Sequence, residues 1–400
     1  MKLYSGAPFW LIRNGIHSTR PELTAATRCD VVIWGAGVTG ALIADRLSRD
    51  GLDVIVLDRR VSGAGSTAAS TALIQYEIDQ ELITLGDRLG SANAARAYAM
   101  SVAAVERLGI ISRELGAGDF RSRRSLYLAS TRRDGARLQR EVAARSAIGI
   151  AVTWLSAEDV ASDYGFSSHG AIRSELAGEI DALALTRGLL ERAASQGARW
   201  YEQTHVRGYE ERADGVRVLT SGGATVDARY AVCATGYDLP AYFGLGGLAS
   251  LHSTYALATE RIPDDAHWRE QALVWESARP YCYMRTTSDQ RIIIGGEDTP
   301  FESARLRDRL LPGKIEKLEQ RLADLLPATR TETAFGWSGT FAETADGLPY
   351  IGTLDKFPGV LFALGYGGNG ITFSVIAADL LSAICSNREP DGADLYRMSR

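Results

Sequence analysis

A glycine-rich turn between a strand and a helix is the feature that most constrains this chain. Residues 30–34 (DVVIW) are apolar and rich in β-branched side chains, which predicts a buried parallel strand. Helix-forming residues follow over 38–50, and residues 52–57 (LDVIVL) predict a second buried strand. The turn carries the Gly-x-Gly-x-x-Gly pattern, whose glycines permit a tight turn, close approach of a pyrophosphate and close packing of helix on strand. We therefore predict a dinucleotide-binding β-α-β unit with cofactor contacts from Gly35, Gly37, Val38, Thr39 and Gly40.

An acidic residue at the end of the second strand supports this prediction. Asp58 stands 18 residues after Gly40, where a carboxylate accepts hydrogen bonds from ribose hydroxyls. Arg59 and Arg60 follow directly, and arginines here favour the 2′-phosphate of NADP, whereas the charge of Asp58 would repel that phosphate. We expect both arginines at the cofactor site near the surface, one of them over the adenine. NAD and FAD remain alternatives at this point.

A second segment of small residues distinguishes these two cofactors. Residues 63–72 (GAGSTAASTA) follow the second strand directly. Hydroxyls and free backbone N–H groups there suit further contacts to phosphate and ribitol, which NAD does not require. The segment favours FAD, with contacts expected from Gly65, Ser66, Thr67, Ser70, Thr71, Ala72 and Leu73.

Composition excludes several classes of protein. A chain of 400 residues with 46% hydrophobic and 23% charged residues is typical of a soluble globular protein of more than one domain. No apolar run reaches the ~18 residues of a membrane span, and the net charge of −5 argues against a nucleic-acid partner. The four cysteines and five histidines show no metal-ligand spacing, so we expect no metal site. The N-terminus lacks a cleavable leader pattern, which predicts a cytoplasmic protein.

Buried strands recur late in the chain, at 230–234 and 360–364, with strand-rich segments between them. This order predicts an α/β fold in which a Rossmann-like domain is assembled from discontinuous segments and holds an inserted α+β substrate domain built on a mixed or antiparallel sheet. Residues 301–327 predict a helix that breaks at Pro312 and Gly313. The expected divisions are a cofactor domain of 28–112, 152–240 and 332–388, a substrate domain of 113–151 and 241–331, and an N-terminal arm of 1–27.

Six segments in this order resemble the FAD-dependent glycine/D-amino-acid/sarcosine oxidase family. They are 35–40 with Asp58, 65–73, 178–181 (GEID), 234–236 (ATG), 337–352 (WSG followed by DGLPYIG) and 365–370 (GYGGNG). The resemblance implies an FAD domain of the glutathione-reductase-2 type (GR2-type), in which the backbone of Val206 pairs with adenine and the helix starting near Ile371 points its N-terminus at the flavin pyrimidine edge. It further implies cofactor contacts from Ala234, Thr235, Gly236, Trp337, Gly339, Gly365, Gly367, Gly368, Asn369, Gly370 and Thr372.

Three departures from the family pattern bear on chemistry. The sarcosine-oxidase branch attaches flavin through a cysteine in the segment that is 337–341 here; this segment holds none, so we expect non-covalent FAD. A lysine of that branch corresponds to Ile293, which leaves oxygen and another electron acceptor as alternatives. Phe341 stands where amino-acid-oxidising members place a carboxylate-binding arginine, and Arg285 is the best alternative donor.

The resemblance implies oxidation of the C–N bond of a small amine or amino acid by hydride transfer to flavin N5, giving an imine that hydrolyses. Candidate catalytic residues in the strand-rich insert are His252, Tyr255, Tyr283 and Arg285. Aromatic rings there suit an amine through cation–π contact. Two alternatives stay open: an FAD-dependent dehydrogenase of a hydroxy acid or polyol, and an NAD(P)-dependent Rossmann dehydrogenase. The sequence does not indicate an oligomeric state.

Overall fold

The computed structural model describes residues 1–15, 19–263 and 266–400. Residues 16–18 of the predicted N-terminal arm and residues 264–265 of the predicted substrate domain lie outside the described residues.

The helices and strands are numbered in chain order. The strands are β1 (Tyr4–Gly6), β2 (Thr27–Trp34), β3 (Val54–Leu57), β4 (Leu73–Gln75), β5 (Arg121–Leu128), β6 (Val152–Leu155), β7 (Ala171–Glu179), β8 (Arg199–Tyr201), β9 (Val206–Arg212), β10 (Gly215–Thr220), β11 (Thr225–Cys233), β12 (Ser250–Thr259), β13 (Leu273–Glu276), β14 (Cys282–Thr286), β15 (Ile292–Pro300), β16 (Thr333–Glu343), β17 (Tyr350–Thr353) and β18 (Val360–Leu364). The helices are α1 (Phe9–Asn14), α2 (Val38–Arg49), α3 (Ser66–Ala69), α4 (Leu82–Leu89), α5 (Ser91–Leu115), α6 (Arg132–Ala147), α7 (Ala157–Tyr164), α8 (Ala182–Ser195), α9 (Ala304–Leu325) and α10 (Gly370–Cys385).

The first sheet is the Rossmann-like part of the predicted fold. Strands β8, β3, β2, β11 and β18 lie side by side and are parallel, β17 joins antiparallel at one edge, and the β9–β10 hairpin attaches through β11. Strand β3 and the second half of β2 are buried on both faces. Helix α2, packed against α8 and α10, covers one face, and the β9–β10 hairpin with Phe243 packs on the other. Ligands of such sheets bind at the carboxyl ends of the strands, where the glycine-rich turn after β2 lies.

The second sheet is mixed and mostly antiparallel, as predicted for the substrate-binding part. Its order among the described residues is β1-β16-β12-β15-β14-β13-β5-β7-β4, with β6 paired to β7 and a parallel pair between β13 and β5. Four strands of this sheet, β4, β6, β7 and β16, come from segments that were predicted to belong to the cofactor domain. The domain boundaries remain a prediction.

Helix α9 corrects one expectation. It continues through Pro312 and Gly313 instead of breaking there. Leu318 and Leu322 are fully buried in the core beneath the second sheet, and Lys314 donates a 2.7 Å hydrogen bond to the Glu297 carbonyl. Packing on the C-terminal side of the proline therefore outweighs the ~3 kcal/mol that a proline costs inside a helix.

Candidate cofactor and substrate site

A cavity of about 940 Å³ lies between the two sheets, and most of the predicted cofactor residues line it. Its volume falls within the range of small-molecule and cofactor sites. The predicted residues on its wall are Gly35, Gly37, Val38, Thr39, Asp58, Arg59, Arg60, Gly65, Ser66, Thr67, Ser70, Thr71, Ala72, Leu73, Val206, Ala234, Thr235, Gly236, Gly339, Gly367, Gly368, Asn369, Gly370 and Ile371, together with the catalytic candidates His252 and Tyr283.

The turn after β2 forms one end of the cavity. Asp58 is held in place because its two carboxylate oxygens accept hydrogen bonds of 2.7 Å from the backbone N–H groups of Ala36 and Arg60. Burial raises the pKa of Asp58, and those two N–H groups oppose the rise. Helix α2 begins after Gly37 without a side-chain cap, and its Val38 N–H donates to the Thr67 hydroxyl at 3.0 Å. The end of this helix is suited to phosphate.

Two indole rings hold the segment of small residues that follows β3. The Nε1 of Trp337 donates to the Ala69 carbonyl at 2.9 Å, and the Nε1 of Trp10 donates to the Ser70 carbonyl at 2.7 Å. Beside this segment, the Ser66 hydroxyl and the Gln75 amide nitrogen are buried and have no hydrogen-bond partner among the described residues. Buried polar groups are almost always paired, so these two fit contacts to a bound cofactor.

The glycine-rich turn before α10 closes the cavity. Helix α10 starts at Gly370. Its first N–H groups have no intrahelical partner, as in any helix, and no side chain caps them. The Tyr237 hydroxyl donates to the Gly367 carbonyl at 2.9 Å, and the Gly368 N–H donates to Asp79 at 2.9 Å. The positive end of this helix is suited to stabilising negative charge on a reduced flavin.

Four predicted cofactor residues lie behind the cavity wall instead of on it, namely Gly40, Trp337, Gly365 and Thr372. Gly40 packs α2 on β2 so closely that a Cβ atom would lie 1.8 Å from the Gly35 carbonyl oxygen. Thr372 donates to the Gln75 carbonyl at 2.9 Å. Trp337 acts through its bond to Ala69, and Gly365 turns the chain with φ of +72°. These residues support the site from outside it.

Two catalytic candidates face the cavity. The His252 ring stacks on Phe341 with centroids 5.3 Å apart, and its Nε2 lies 3.8 Å from Glu343. Tyr283 neighbours Tyr281 at 5.6 Å between ring centroids. Burial raises the pKa of Tyr283 well above its ordinary value, while the hydroxyls of Thr254 and Thr71 oppose the rise. Tyr283 is therefore a neutral hydrogen-bonding group at physiological pH.

The other two candidates do not reach the cavity. Tyr255 is fully buried on the opposite face of β12, where its ring lies 5.5 Å from the Lys314 ammonium. Arg285 lies beneath Trp10, with its guanidinium 5.1 Å from the indole centroid, and donates to the Ile180 carbonyl at 3.1 Å. Its carboxylate partner is Glu179, at 3.9 Å. The prediction of Arg285 as a substrate clamp is not supported, because α1 covers it.

Several residues on the substrate side of the cavity were missed from the sequence. Asp79, Asp298, Glu343 and Arg279 all line it. Glu343 had a signal, since strand alternation places it on the same face as Phe341 two residues earlier. Asp79 and Arg279 lie in irregular segments between strands, where no periodicity points a side chain inward. Burial raises the pKa of Asp79 and of Asp298 to about 6 in each case.

The described residues contain neither a metal-binding cluster nor a helix that could span a membrane. Within residues 1–15, 19–263 and 266–400, no three His, Cys, Asp or Glu side chains are grouped so as to hold a metal ion. Over the same ranges, none of the helices combines the length and the apolar character that crossing a membrane requires.

The fold and the cavity define a flavoprotein oxidoreductase, and comparison with known proteins agrees. The profile of the "FAD dependent oxidoreductase" (DAO) family matches residues 30–384. The glycine oxidase of Geobacillus kaustophilus is 29% identical over 372 residues, which cover 90% of this chain and 94% of that protein. The chain therefore belongs to the DAO family of FAD-dependent oxidoreductases, as its sequence motifs predicted.

Solved structures show the same fold. The crystal structure of the glycine oxidase from Geobacillus kaustophilus superposes with a TM-score of 0.77 at 26% identity, covering 93% of this chain and 99% of the other. The L-proline dehydrogenase from P. horikoshii has a TM-score of 0.78 at 19% identity, covering 95% and 99%. Family membership selects FAD over NAD, so the NAD(P)-dependent alternative is set aside.

Proposed function

We propose that this protein oxidises the C–N bond of a small amine or amino acid. The observation that carries the proposal is one cavity that contains two buried polar atoms without a partner among the described residues, the Ser66 hydroxyl and the Gln75 amide nitrogen, and whose substrate side is walled by His252, Tyr281 and Tyr283. The relatives named above are a glycine oxidase and an L-proline dehydrogenase, which supports this substrate class. FAD, when bound, supplies a two-electron acceptor for a hydride from the carbon next to the nitrogen.

The residues of this chain bind the substrate, orient it and accept a proton from its amine. Tyr281, Tyr283 and Phe341 give the substrate side an aromatic wall that limits water around the reacting carbon. An amine that enters as ammonium must lose a proton before a hydride can leave its carbon. His252 Nε2, on the cavity wall, is the proton acceptor that we assign to this step.

A second candidate function has one observation in its favour. Phe341 stands where the amino-acid-oxidising members hold a carboxylate-binding arginine, and an apolar ring does not bind a carboxylate. A hydroxy acid or polyol dehydrogenase is the alternative consistent with that residue.

Anaerobic reduction of the purified yellow protein tests both functions. Bleaching of the visible flavin absorbance by amines or amino acids, but not by hydroxy acids or glycerol, is the expected result. Bleaching by hydroxy acids or polyols alone would establish the second candidate instead. Repeating the assay in air and with an artificial dye identifies the electron acceptor, for which oxygen and another acceptor are both open. Absence of a response to any C–N compound would refute the proposal.

The role of His252 has its own test. His252→Gln removes the proton acceptor and is expected to lower the rate of flavin reduction by about 100-fold or more at neutral pH. His169→Gln is the matched control, because His169 is exposed and lies outside the cavity. Equal rates in the two variants would exclude His252 as the base. A cytoplasmic location remains a prediction, as does the non-covalent attachment of FAD.

A further inference from the structure

The substrate side of the cavity is lined by carboxylates. Asp79, Asp298 and Glu343 all contribute to its wall, each from a different segment of the chain. They interact electrostatically, since the charge of Glu343 acts on Asp79 and the charges of Asp79 and Glu343 both act on Asp298. The three residues are half-buried, and like charges collected on a partly desolvated wall are costly unless a cation joins them.

One of these carboxylates has an open hydrogen-bonding position. Asp298 Oδ1 is buried and accepts no hydrogen bond from any described residue. Its neighbour in sequence, Glu297, behaves differently: Glu297 Oε2 accepts a hydrogen bond of 3.0 Å from Lys314, which belongs to helix α9. Lys314 therefore hydrogen-bonds to Glu297 and acts on Asp298 only through its charge. The Asp298 carboxyl hydrogen-bonds to Thr254, and its Oδ1, on the cavity wall, has no donor among the described residues.

Positive charge on the cavity wall is placed where it does not pair with Asp298. Among the described residues lining the cavity, three arginines (Arg59, Arg60 and Arg207) belong to the end near Asp58 and Val206. The fourth, Arg279, is exposed, and its guanidinium lies 5.0 Å from the Tyr281 ring centroid. Its charge acts on Asp79. A substrate carboxylate beside Asp298 would therefore meet repulsion.

We propose that the substrate is an amine without an adjacent carboxylate that carries a second cationic group, as an α,ω-diamine does, and that Asp298 and Asp79 bind this second cation. This inference rests on the proposed C–N oxidation, whose substrate class it narrows. The rings of Tyr281 and Tyr283 line the same space and add cation–π contact. One nitrogen is held for oxidation while the other is held by carboxylates.

Measuring substrate affinity in the absence of turnover tests this inference independently of the proposed C–N oxidation. Anaerobic titration calorimetry of the FAD-loaded protein compares putrescine with butylamine, which has the same carbon chain and one charge fewer. A charge-assisted hydrogen bond to a buried carboxylate predicts that putrescine binds about tenfold more tightly or better. Cadaverine and pentylamine repeat the comparison with one more methylene. Equal affinities of diamine and monoamine at both lengths, or tighter binding of glycine than of the diamines, would overturn the inference.

Substitution of the two aspartates tests whether they bind the second cationic group of the diamine. Asp298→Asn is expected to bring the affinity for putrescine down to about that for butylamine, while butylamine binding changes little. Glu302→Gln is the control, because it removes the same charge from an exposed residue four positions away and outside the cavity. Asp79→Asn replaces Asp298→Asn if the latter fails to retain FAD. A diamine preference that survives in every aspartate variant that retains FAD refutes the assignment, whereas diamine binding without flavin reduction refutes only the proposed C–N oxidation.

Discussion

Two glycines in the turn after β2 have different roles: Gly40 is needed for folding and Gly37 for cofactor binding. Separate substitution of each one tests this. At Gly40 an added Cβ would lie 1.8 Å from the Gly35 carbonyl oxygen and 3.0 Å from its carbon, and both atoms belong to the backbone. Gly40→Ala therefore forces α2 away from β2 by about 1 Å. At Gly37 the added Cβ meets only the Thr67 hydroxyl, at 3.2 Å, and otherwise enters the cavity.

The two substitutions are expected to change the free energy of unfolding by different amounts. Overpacking of this kind costs up to about 3 kcal/mol, and about 1 kcal/mol is regained because alanine favours a helix over glycine. We expect Gly40→Ala to destabilise the cofactor-free protein by about 2 kcal/mol, which lowers the melting temperature of a chain of 400 residues by about 2–3 °C. Gly37 has ordinary φ and ψ of −78° and −177°, so Gly37→Ala costs the cofactor-free protein about 1 kcal/mol or less.

Thermal unfolding without FAD and fluorescence titration with FAD measure the two effects. Gly37→Ala is expected to bind FAD at least about tenfold more weakly because its methyl group occupies the space for the pyrophosphate. Gly208→Ala is the control, since its Cβ would have no neighbour within 4 Å. Unchanged FAD affinity in Gly37→Ala, or an unchanged melting temperature in Gly40→Ala, would refute this account of the turn.

Four further predictions follow from the site. No cysteine lines the cavity among the described residues, so acid precipitation is expected to release FAD into the supernatant, and a yellow pellet would contradict this. Trp337→Phe loses the hydrogen bond to Ala69, worth about 1 kcal/mol, and is expected to raise the Kd for FAD about fivefold in fluorescence titration. Arg285→Met removes the buried hydrogen bond to the Ile180 carbonyl, while Glu179 keeps its 2.9 Å bond to Arg123, and is expected to cost about 2 kcal/mol in thermal unfolding with KM unchanged; a selective rise in KM would restore the substrate-clamp assignment. The carboxyls of Asp79 and Asp298, whose pKa is raised to about 6, lose their charge as pH falls through that value, so the Kd for putrescine is expected to rise below it in calorimetry.

The cofactor end was predictable because its signals are local in the sequence. A strand, a turn of three glycines, a helix and a closing Asp58 follow one another within 30–58, and each has a conformational reason that acts within a few residues. The glycine turn before α10 has the same character. Family resemblance then joined the two ends, and the structure brings both to one cavity.

The substrate end was less predictable because its residues meet only through the second sheet. Alternation along β12 places His252 and Thr254 on the cavity wall and Tyr255 on the opposite face. Helix α1, which is far away in sequence, separates Arg285 from the cavity because Trp10 covers its guanidinium. The irregular segment that carries Asp79 has no period from which its direction can be read.

By itself, the sequence determined the parallel-sheet nucleotide fold, since short-range sterics of glycine and strand hydrophobicity specify it, and its motifs led to FAD as the cofactor and to predicted contact residues that line the cavity. Only the tertiary structure decided that helix α9 passes through Pro312, that Arg285 is covered and that three carboxylates from separate segments share one wall. The physical reason is that burial and electrostatic environment are properties of the packed chain, in which residues distant in sequence desolvate one another.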